Sequence, residues 1–147
     1  MYSLINFYKK AADSLEKLKD LPLLFLRLIL AYGFYGPATK KLEDVNAIAS
    51  WFESMDYPLP TLNAYLATIT ETAGFIMLAL GLATRFISIP LMVVMLVAIF
   101  TVHLGNGFAA GNNGYEIPLY YFLMLFTLLV IGPGKISLDH LMRKAAG

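Results

Sequence analysis

The sequence predicts an all-α fold, in the form of an integral membrane four-helix bundle with short interfacial amphipathic helices. Hydrophobic residues make up 59% of the 147 residues and charged residues only 14%, whereas charged residues make up about a quarter of a typical soluble domain. Four apolar stretches have, or nearly have, the length that a helix needs to cross a bilayer. Most of the basic residues lie outside these stretches, so the stretches themselves are predicted to span a membrane.

The whole chain, residues 1–147, is interpreted as a single transmembrane domain. Short connections between the apolar stretches favour antiparallel neighbours in a bundle. The four predicted spans cover approximately residues 21–39, 62–82, 86–104 and 117–132.

An amphipathic helix is predicted before the first span, over residues 3–19. Its apolar residues recur at intervals of three and four, at Leu4, Tyr8, Ala11, Leu15 and Leu18. The lysines on its other faces favour a position in the membrane interface. Asp20 is predicted to cap the first span and Pro22 to open it, because proline fits the first turn of a helix. Gly36 and Pro37 are predicted to end or kink this span.

Two further short helices are predicted outside the spans. After a cap at Asp44, apolar residues repeat at helical spacing and predict a second helix on the membrane surface. These residues are Val45, Ile48, Phe52 and Met55. Near the end of the chain, Ser137 is predicted to cap a short amphipathic tail.

The distribution of Lys and Arg predicts the orientation in the membrane. Four spans put both termini on the same side. The N-terminal segment, the turn at 81–85 and the C-terminal tail hold eight Lys and Arg residues, whereas the opposite loops hold only Lys40 and Lys41. By the positive-inside rule both termini are predicted to be cytoplasmic. The membrane predicted for this multi-pass protein is the bacterial cytoplasmic (inner) membrane.

The composition also excludes several classes of function. Basic residues are not gathered into one surface, which argues against binding of nucleic acid. The chain has no cysteine, so disulfides, thiolate catalysis and cysteine-ligated metal centres are excluded.

Two charged residues lie inside the predicted spans and are the candidates for a polar centre. Glu71 is near the middle of the second span and Arg27 is in the first. A charged side chain at hydrocarbon depth is costly unless it is neutralised, paired or turned toward an internal cavity. We therefore predict that Arg27 and Glu71 pair directly or share a hydrated centre. The alternative is that Arg27 extends to the headgroups and that Glu71 is protonated.

A second group of candidates lies at the predicted outer face. His103 is at the end of the third span and Glu116 at the start of the fourth, beside Asn112, Asn113 and Tyr115. This group is predicted either to bind a metal or to relay a proton. A carboxylate at a helix N-terminus also has a structural explanation, because the helix dipole favours it there.

Methionines and tyrosines supply two weaker hypotheses. Met92 and Met95 share a helix face, which with Met77 and Met124 allows a thioether path for Cu(I), although such residues also fill gaps in apolar cores. Several tyrosines, predicted to lie in the outer half, either line a pocket for an aromatic or quinone head group or form an interfacial belt. They are Tyr32, Tyr35, Tyr65, Tyr115, Tyr120 and Tyr121.

Four segments resemble the DoxX family of small four-span membrane proteins. They are LRL at residues 26–28, GPATKKL at 36–42, ETAGFIMLALGLATR at 71–85 and GPGKISLD at 132–139. The phrases AYGFYGPA, TRFISIPLMVVMLVAIFTVH and NGYEIPLYY are similar to a narrower branch, the HvfX type, which is associated with gene clusters for copper-binding peptides. The family is named for a membrane subunit of thiosulfate or quinol oxidation systems.

Three classes of function follow from these observations. The leading hypothesis, implied by the resemblance, is an accessory component of a redox- or metal-linked membrane pathway, without catalytic activity of its own. The second is a quinone-interacting oxidoreductase subunit, and the third is a small transporter or permeation path. Quinone or copper is the cofactor considered. The partners considered are the lipid bilayer and a membrane protein, a periplasmic protein or a second copy of the chain.

Overall fold

A computed structural model describes residues 2–147, with side chains from Leu4 onward. Over this range the chain is all-helical and contains no strand, which confirms the predicted fold class. Seven α-helices are present in the described chain: α1 Tyr2–Glu16, α2 Asp20–Glu43, α3 Val45–Ser54, α4 Pro60–Leu80, α5 Thr84–Ala98, α6 Glu116–Ile131 and α7 Leu138–Ala146.

The four longest apolar helices surround one hydrophobic core. α2 packs along α4, α4 along α5 and α5 along α6, and α2 also contacts α6. The core contains large side chains from all four helices, among them Leu30, Phe34, Leu78, Leu91 and Leu125. The shorter α3 packs against α4. The side chains on the outer faces of the four helices are largely apolar and exposed, as lipid-facing surfaces require.

Two helical segments are long and apolar enough to cross a membrane by length and composition. These two segments are Asp20–Glu43 and Thr84–Asn106. Glu116–Ile131 is also apolar but is shorter. The second segment is not a uniform α-helix, because α5 continues as a π-helical turn over Ile99–His103 and a 3₁₀ turn over Leu104–Asn106. The four-span topology remains a prediction.

Local capping signals are confirmed at two of the three predicted positions. The Asp44 carboxylate accepts a hydrogen bond from the Ala47 N–H at the start of α3, and the Ser137 hydroxyl accepts one from the His140 N–H at the start of α7. The prediction for Asp20 is wrong. Its Oδ1 accepts a hydrogen bond from the Lys135 N–H at 2.8 Å, so the side chain links α2 to the segment before α7.

Of the two outcomes predicted for Gly36 and Pro37, an end or a kink of the first span, the end is not observed. α2 continues through both residues to Glu43. Proline removes one helical N–H donor, and here the helix continues past that missing hydrogen bond. The consequence is that Lys40 and Lys41 belong to the last turn of α2 and not to a loop.

Candidate functional site

The buried carboxylate of Glu71 forms an ion pair with Lys41. The Lys41 Nζ lies 2.6 Å from the Glu71 Oε2, and the side chains are 17% and 5% exposed. Glu71 is near the middle of α4, about 16 Å along the helix axis from Pro60. A charge-assisted hydrogen bond of this length satisfies the buried carboxylate among the largely apolar side chains of the bundle.

The direction of the Lys41 side chain explains how it reaches this depth. Cα–Cβ bonds in a helix tilt toward its N-terminus, which for α2 is away from the Lys41 end and toward the middle of the bundle. The long methylene stem then carries the ammonium group inward to α4. Lys40, one position earlier, is exposed. The ion pair therefore depends on α2 continuing past Pro37.

A cavity of about 590 Å³ lies on one side of the ion pair, among α3, α4 and α5. Its walls are mainly aliphatic and come from α4 and α5, including Leu66, Ala67, Val93 and Val97. The volume is within the range of sites that bind small organic molecules, about 300–1,000 Å³. Lys41 and Glu71 supply its charged groups.

Aromatic residues from α3 and the segment after it form the edge of this larger cavity. Trp51, Phe52 and Tyr57 line it, and the Phe52 and Tyr57 rings are stacked with centroids 5.0 Å apart. The Tyr57 hydroxyl donates to the Thr101 hydroxyl at 3.2 Å, which connects this edge to the end of α5. The second interfacial helix predicted from the sequence is thus a wall of the site.

A smaller cavity of about 370 Å³ lies on the other side of the ion pair. It is bounded by α2, α5, α6 and the loop before α6, and Lys41 and Glu71 line this cavity as well. Among its other lining residues are Met95, His103, Asn113 and Tyr121. The ion pair is therefore shared by two cavities that have different walls.

The π-helical turn at Ile99–His103 adjoins both cavities. Thr101 lines the larger cavity and His103 the smaller one, although they are only two residues apart. One-turn π segments inside α-helices are rare and frequently occur at functional sites. This location gives independent support for placing the candidate site around Glu71.

The predicted direct pairing of Arg27 with Glu71 is wrong, and Arg27 lines neither of the two cavities that Glu71 lines. Arg27 is 1% exposed, but its guanidinium donates to the Leu78 carbonyl at 3.3 Å and to the Ile136 carbonyl. Both of these partners lie toward the end of the protein that holds α1 and α7. The alternative for Arg27, extension to the headgroups, is not observed either, because backbone carbonyls hold the side chain inside the protein.

Arg27 belongs to a structural cluster that ties the ends of four helices together. Asp139 accepts hydrogen bonds from the Ala83 N–H at 2.6 Å and the Thr84 N–H at 3.0 Å, which caps α5. The Asp139 N–H donates in turn to the Gly81 carbonyl at 3.0 Å. A Cβ on Gly81 would collide with the Arg27 guanidinium. The segments LRL, GLATR and GPGKISLD meet here, so their pattern reflects packing.

The five candidates at the predicted outer face lie near one another, around the loop before α6. The His103 Nδ1 is 2.8 Å from the Asn113 carbonyl oxygen. Glu116 accepts from the Ala110 N–H and the Tyr120 hydroxyl, and the Tyr115 ring packs against Phe108. These contacts hold the loop before α6 in place. Within residues 2–147, no group of three or more His, Asp or Glu side chains is arranged to hold a metal ion.

The methionine and tyrosine hypotheses receive different answers. Met92, Met95, Met77 and Met124 all pack against the hydrophobic core, as gap-filling methionines do. Of the six tyrosines, Tyr121 lines the smaller cavity. Tyr32, Tyr35, Tyr65 and Tyr120 are largely exposed. The aromatic residues of the larger cavity are thus mainly ones that the tyrosine pattern did not single out.

Comparison with known proteins identifies the family. Residues 22–104 match the DoxX family over more than half of the chain. The chain belongs to the DoxX family. The DoxX match contains Arg27, Lys41 and Glu71, together with α3 and the helices that line the larger cavity, whereas α6 and α7 lie beyond it.

This DoxX protein is similar in sequence to proteins of two bacteria. Two Haemophilus influenzae proteins, each described as an uncharacterized protein, are 32% and 33% identical to it. The alignments cover 83% and 87% of this chain and 83% and 96% of the relatives. A Bacillus subtilis protein described as "Putative oxidoreductase CatD" is 28% identical over 85% of this chain and 90% of its own length. No solved structure is significantly similar to the chain.

Lys41 is the site residue that sequence reasoning missed. The sequence places it in a loop, because the first span is predicted to end near residue 39. The signal is present in the DoxX segment GPATKKL, where lysines follow three and four residues after Pro37. Once the helix continues, a lysine at its end points back toward the bundle.

Proposed function

We propose that this DoxX-family membrane protein is an accessory component of a membrane redox pathway and that it binds the head group of a quinone beside Lys41 and Glu71. The observation that supports this proposal most strongly is the 2.6 Å ion pair held between two cavities inside an apolar bundle. The description of the Bacillus subtilis relative as an oxidoreductase is consistent with it.

The chemistry of the larger cavity matches this ligand class. A quinone ring is flat and apolar with carbonyl oxygens at its edge, so it needs aliphatic and aromatic walls and a hydrogen-bond donor. Leu66, Val93 and the Phe52 ring supply such walls, and the Lys41 ammonium supplies the donor. A carbonyl oxygen in the cavity would accept a hydrogen bond from Lys41, whose ammonium has three donors.

Glu71 is assigned the handling of protons. Reduction of a quinone to a quinol takes up two electrons and two protons. In the ion pair one proton is held at a defined place next to the ring, on the Lys41 ammonium that donates to the Glu71 carboxylate, and the second proton would come from water by way of the smaller cavity. The smaller cavity, with His103 on its wall, connects Glu71 toward the loop before α6. The electrons would come from a partner protein of the pathway, which makes the role of this chain accessory.

The membrane arrangement predicted from the sequence is part of this proposal. The helices α2 and α4 have 24 and 21 residues, and a bilayer core about 30 Å thick needs about 20. We place four helices across the bacterial inner membrane with both termini cytoplasmic. The HvfX-like assignment within the DoxX family is likewise retained as a proposal, supported by the three phrases that resemble that branch.

Trp51 allows a direct test of quinone binding. It is the single tryptophan of the chain and it lines the larger cavity. Quinones quench tryptophan fluorescence on close approach. We expect ubiquinone-1 to quench Trp51 saturably in the protein purified in detergent. Lys41→Met should weaken the apparent Kd about tenfold, because a hydrogen bond from a charged donor is lost.

Two matched pairs of variants separate binding in the cavity from partition into the micelle. Lys40→Met removes the neighbouring exposed lysine and should leave the Kd unchanged. Ala67→Leu fills the cavity without touching the ion pair and should weaken binding, whereas Ala79→Leu, at an exposed position of the same helix, should not. Quenching that stays linear with quinone concentration, or that is the same in all four variants, would contradict the proposal.

A further inference from the structure

A third cavity lies at the opposite end of α2 from the candidate site. Its volume is about 610 Å³, and it is formed by Lys19 and the start of α2, the start of α5, the end of α6 with the segment after it, and α7. It contains neither Lys41 nor Glu71. We name this cavity the basic groove because five basic residues line it.

Positive charge dominates the rim of the basic groove. Its basic residues are Lys19, Arg85, Lys135, His140 and Arg143. Asp20 is the one carboxylate among the lining residues, and its Oδ1 already accepts a hydrogen bond from the Lys135 N–H. The four Lys and Arg side chains outweigh the one carboxylate, so the residues that line the groove carry a net charge of +3 with His140 neutral. Asp13 and Glu16 do not line the groove but line a neighbouring cavity, which shares Lys19, Asp20 and Lys135 with it.

The guanidinium of Arg85, which lines this groove, is hydrogen-bonded to the end of α6. One of its Nη2 hydrogens goes to the Ile131 carbonyl at 3.1 Å, at the end of α6. A guanidinium has five N–H donors, so others remain for an anion. A Cβ on Gly132 would lie 3.2 Å from the Arg85 Nε, which is the atom nearest to that position. The glycine thus leaves room for the arginine at this helix end.

The floor of the basic groove is apolar and continuous with the outer surface of the bundle. Leu23, Leu26 and Ile131 line it together with two prolines. Ile131 is 61% exposed, so the apolar surface extends out of the groove between α2 and α6. A free phosphate ion would use the rim alone, whereas an anionic lipid would use both the basic rim and the apolar floor.

We propose that the basic groove binds an anionic phospholipid. Its phosphate contacts the Arg85, Lys135 and Arg143 side chains, and an acyl chain lies along Leu26 and Ile131. Basic pockets between helices at the membrane surface have the chemistry that binds anionic headgroups. The site is independent of the quinone proposal, because the two cavities share no lining residue.

The test uses the full chain and native mass spectrometry. The purified protein is released from detergent micelles that contain dioleoylphosphatidylglycerol, dioleoylphosphatidylcholine or inorganic phosphate. We expect the protein to bind phosphatidylglycerol with about tenfold higher affinity than phosphatidylcholine. The reason is that each basic side chain at the membrane surface attracts a lipid with a net negative charge. Inorganic phosphate should not displace the lipid at equal concentration.

The variants are chosen so that the fold is preserved. Lys19→Gln, Lys135→Gln and Arg143→Gln are combined, and Arg85 is left in place because it bonds the end of α6. The control combines Lys9→Gln, Lys10→Gln and Lys144→Gln, which remove the same charge from exposed positions outside the groove. The proposal is supported if the groove variant loses its preference for phosphatidylglycerol and the control variant keeps it. Equal binding of both lipids by the wild-type protein, equal loss in the control, or displacement by phosphate overturns it.

Discussion

Lys41 and Glu71 are 30 positions apart in the chain, and their side chains meet at 2.6 Å inside the helical bundle. The carboxylate is fixed at the middle of α4, whereas the ammonium reaches it from the end of α2. The two partners therefore differ in their freedom. The Lys41 stem can turn toward the end of the bundle if its partner is lost, but the short Glu71 side chain has no such path. This asymmetry determines what each substitution should do.

Lys41→Met should destabilise the protein more than any other single change at the site. It leaves the Glu71 carboxylate buried without its cation, and breaking a buried ion pair in this way costs about 3 kcal/mol. Thermal unfolding in detergent measures the effect, with Lys40→Met as the control. In a double-mutant cycle, adding Glu71→Gln to Lys41→Met should recover part of the loss. Strictly additive free energies would show that the two side chains do not interact.

Glu71→Gln should keep the fold but remove proton exchange. The glutamine carbonyl oxygen still accepts a hydrogen bond from Lys41, and the residue has nearly the same volume. Glu71→Ala removes both the acceptor and the volume, and should lower the free energy of unfolding by about 2 kcal/mol. Quinone binding by fluorescence and quinol turnover with a donor protein measure function. Full activity of Glu71→Gln would end the assignment of proton handling to this residue.

The same two variants also address transport, the third function considered from the sequence. A transporter or permeation path through the two cavities predicts flux across liposomes that Glu71→Gln abolishes. The accessory role predicts no flux across liposomes with the wild-type protein or with Glu71→Gln.

Arg27→Met should loosen the C-terminal segment without affecting quinone binding. Arg27 donates to the carbonyls of Leu78 and Ile136, and unsatisfied buried acceptors cost about 1–3 kcal/mol each. Hydrogen exchange over residues 132–140 should rise in the variant, while the ubiquinone-1 titration stays as in the wild type. A weakened titration with unchanged exchange would instead assign Arg27 to the ligand site.

Gly33→Ala should be destabilising, whereas Gly36→Ala should not. A Cβ on Gly33 would lie within 2.6 Å of the Tyr121 ring, but a Cβ on Gly36 meets nothing within 4 Å. Overpacking costs about 1–3 kcal/mol, while alanine in a helix is about 1 kcal/mol better than glycine. Thermal unfolding of the two variants should therefore shift in opposite directions. Similar shifts would contradict the observed packing of α2 against α6.

Much of the local structure could be predicted because it depends on neighbouring residues in the chain. The caps at Asp44 and Ser137 are confirmed, since each side chain bonds an amide three positions later. Asp20 has the same local signal, but a longer-range contact with Lys135 takes its carboxylate. α2 likewise continues past Pro37, where the local sequence predicts an end or a kink. In each failure, packing between helices outweighed a local preference.

By itself, the sequence determined that this protein is all-helical and strongly apolar, and that Glu71 needs a partner inside it. Only the tertiary structure decided that the partner is Lys41, that Arg27 joins helix ends through backbone carbonyls, and that α3 closes a cavity. The physical reason is that an ion pair depends on how neighbouring helices are aligned and on which way each side chain points. Those quantities are fixed when α2 and α4 pack together, and a list of residues in order does not contain them.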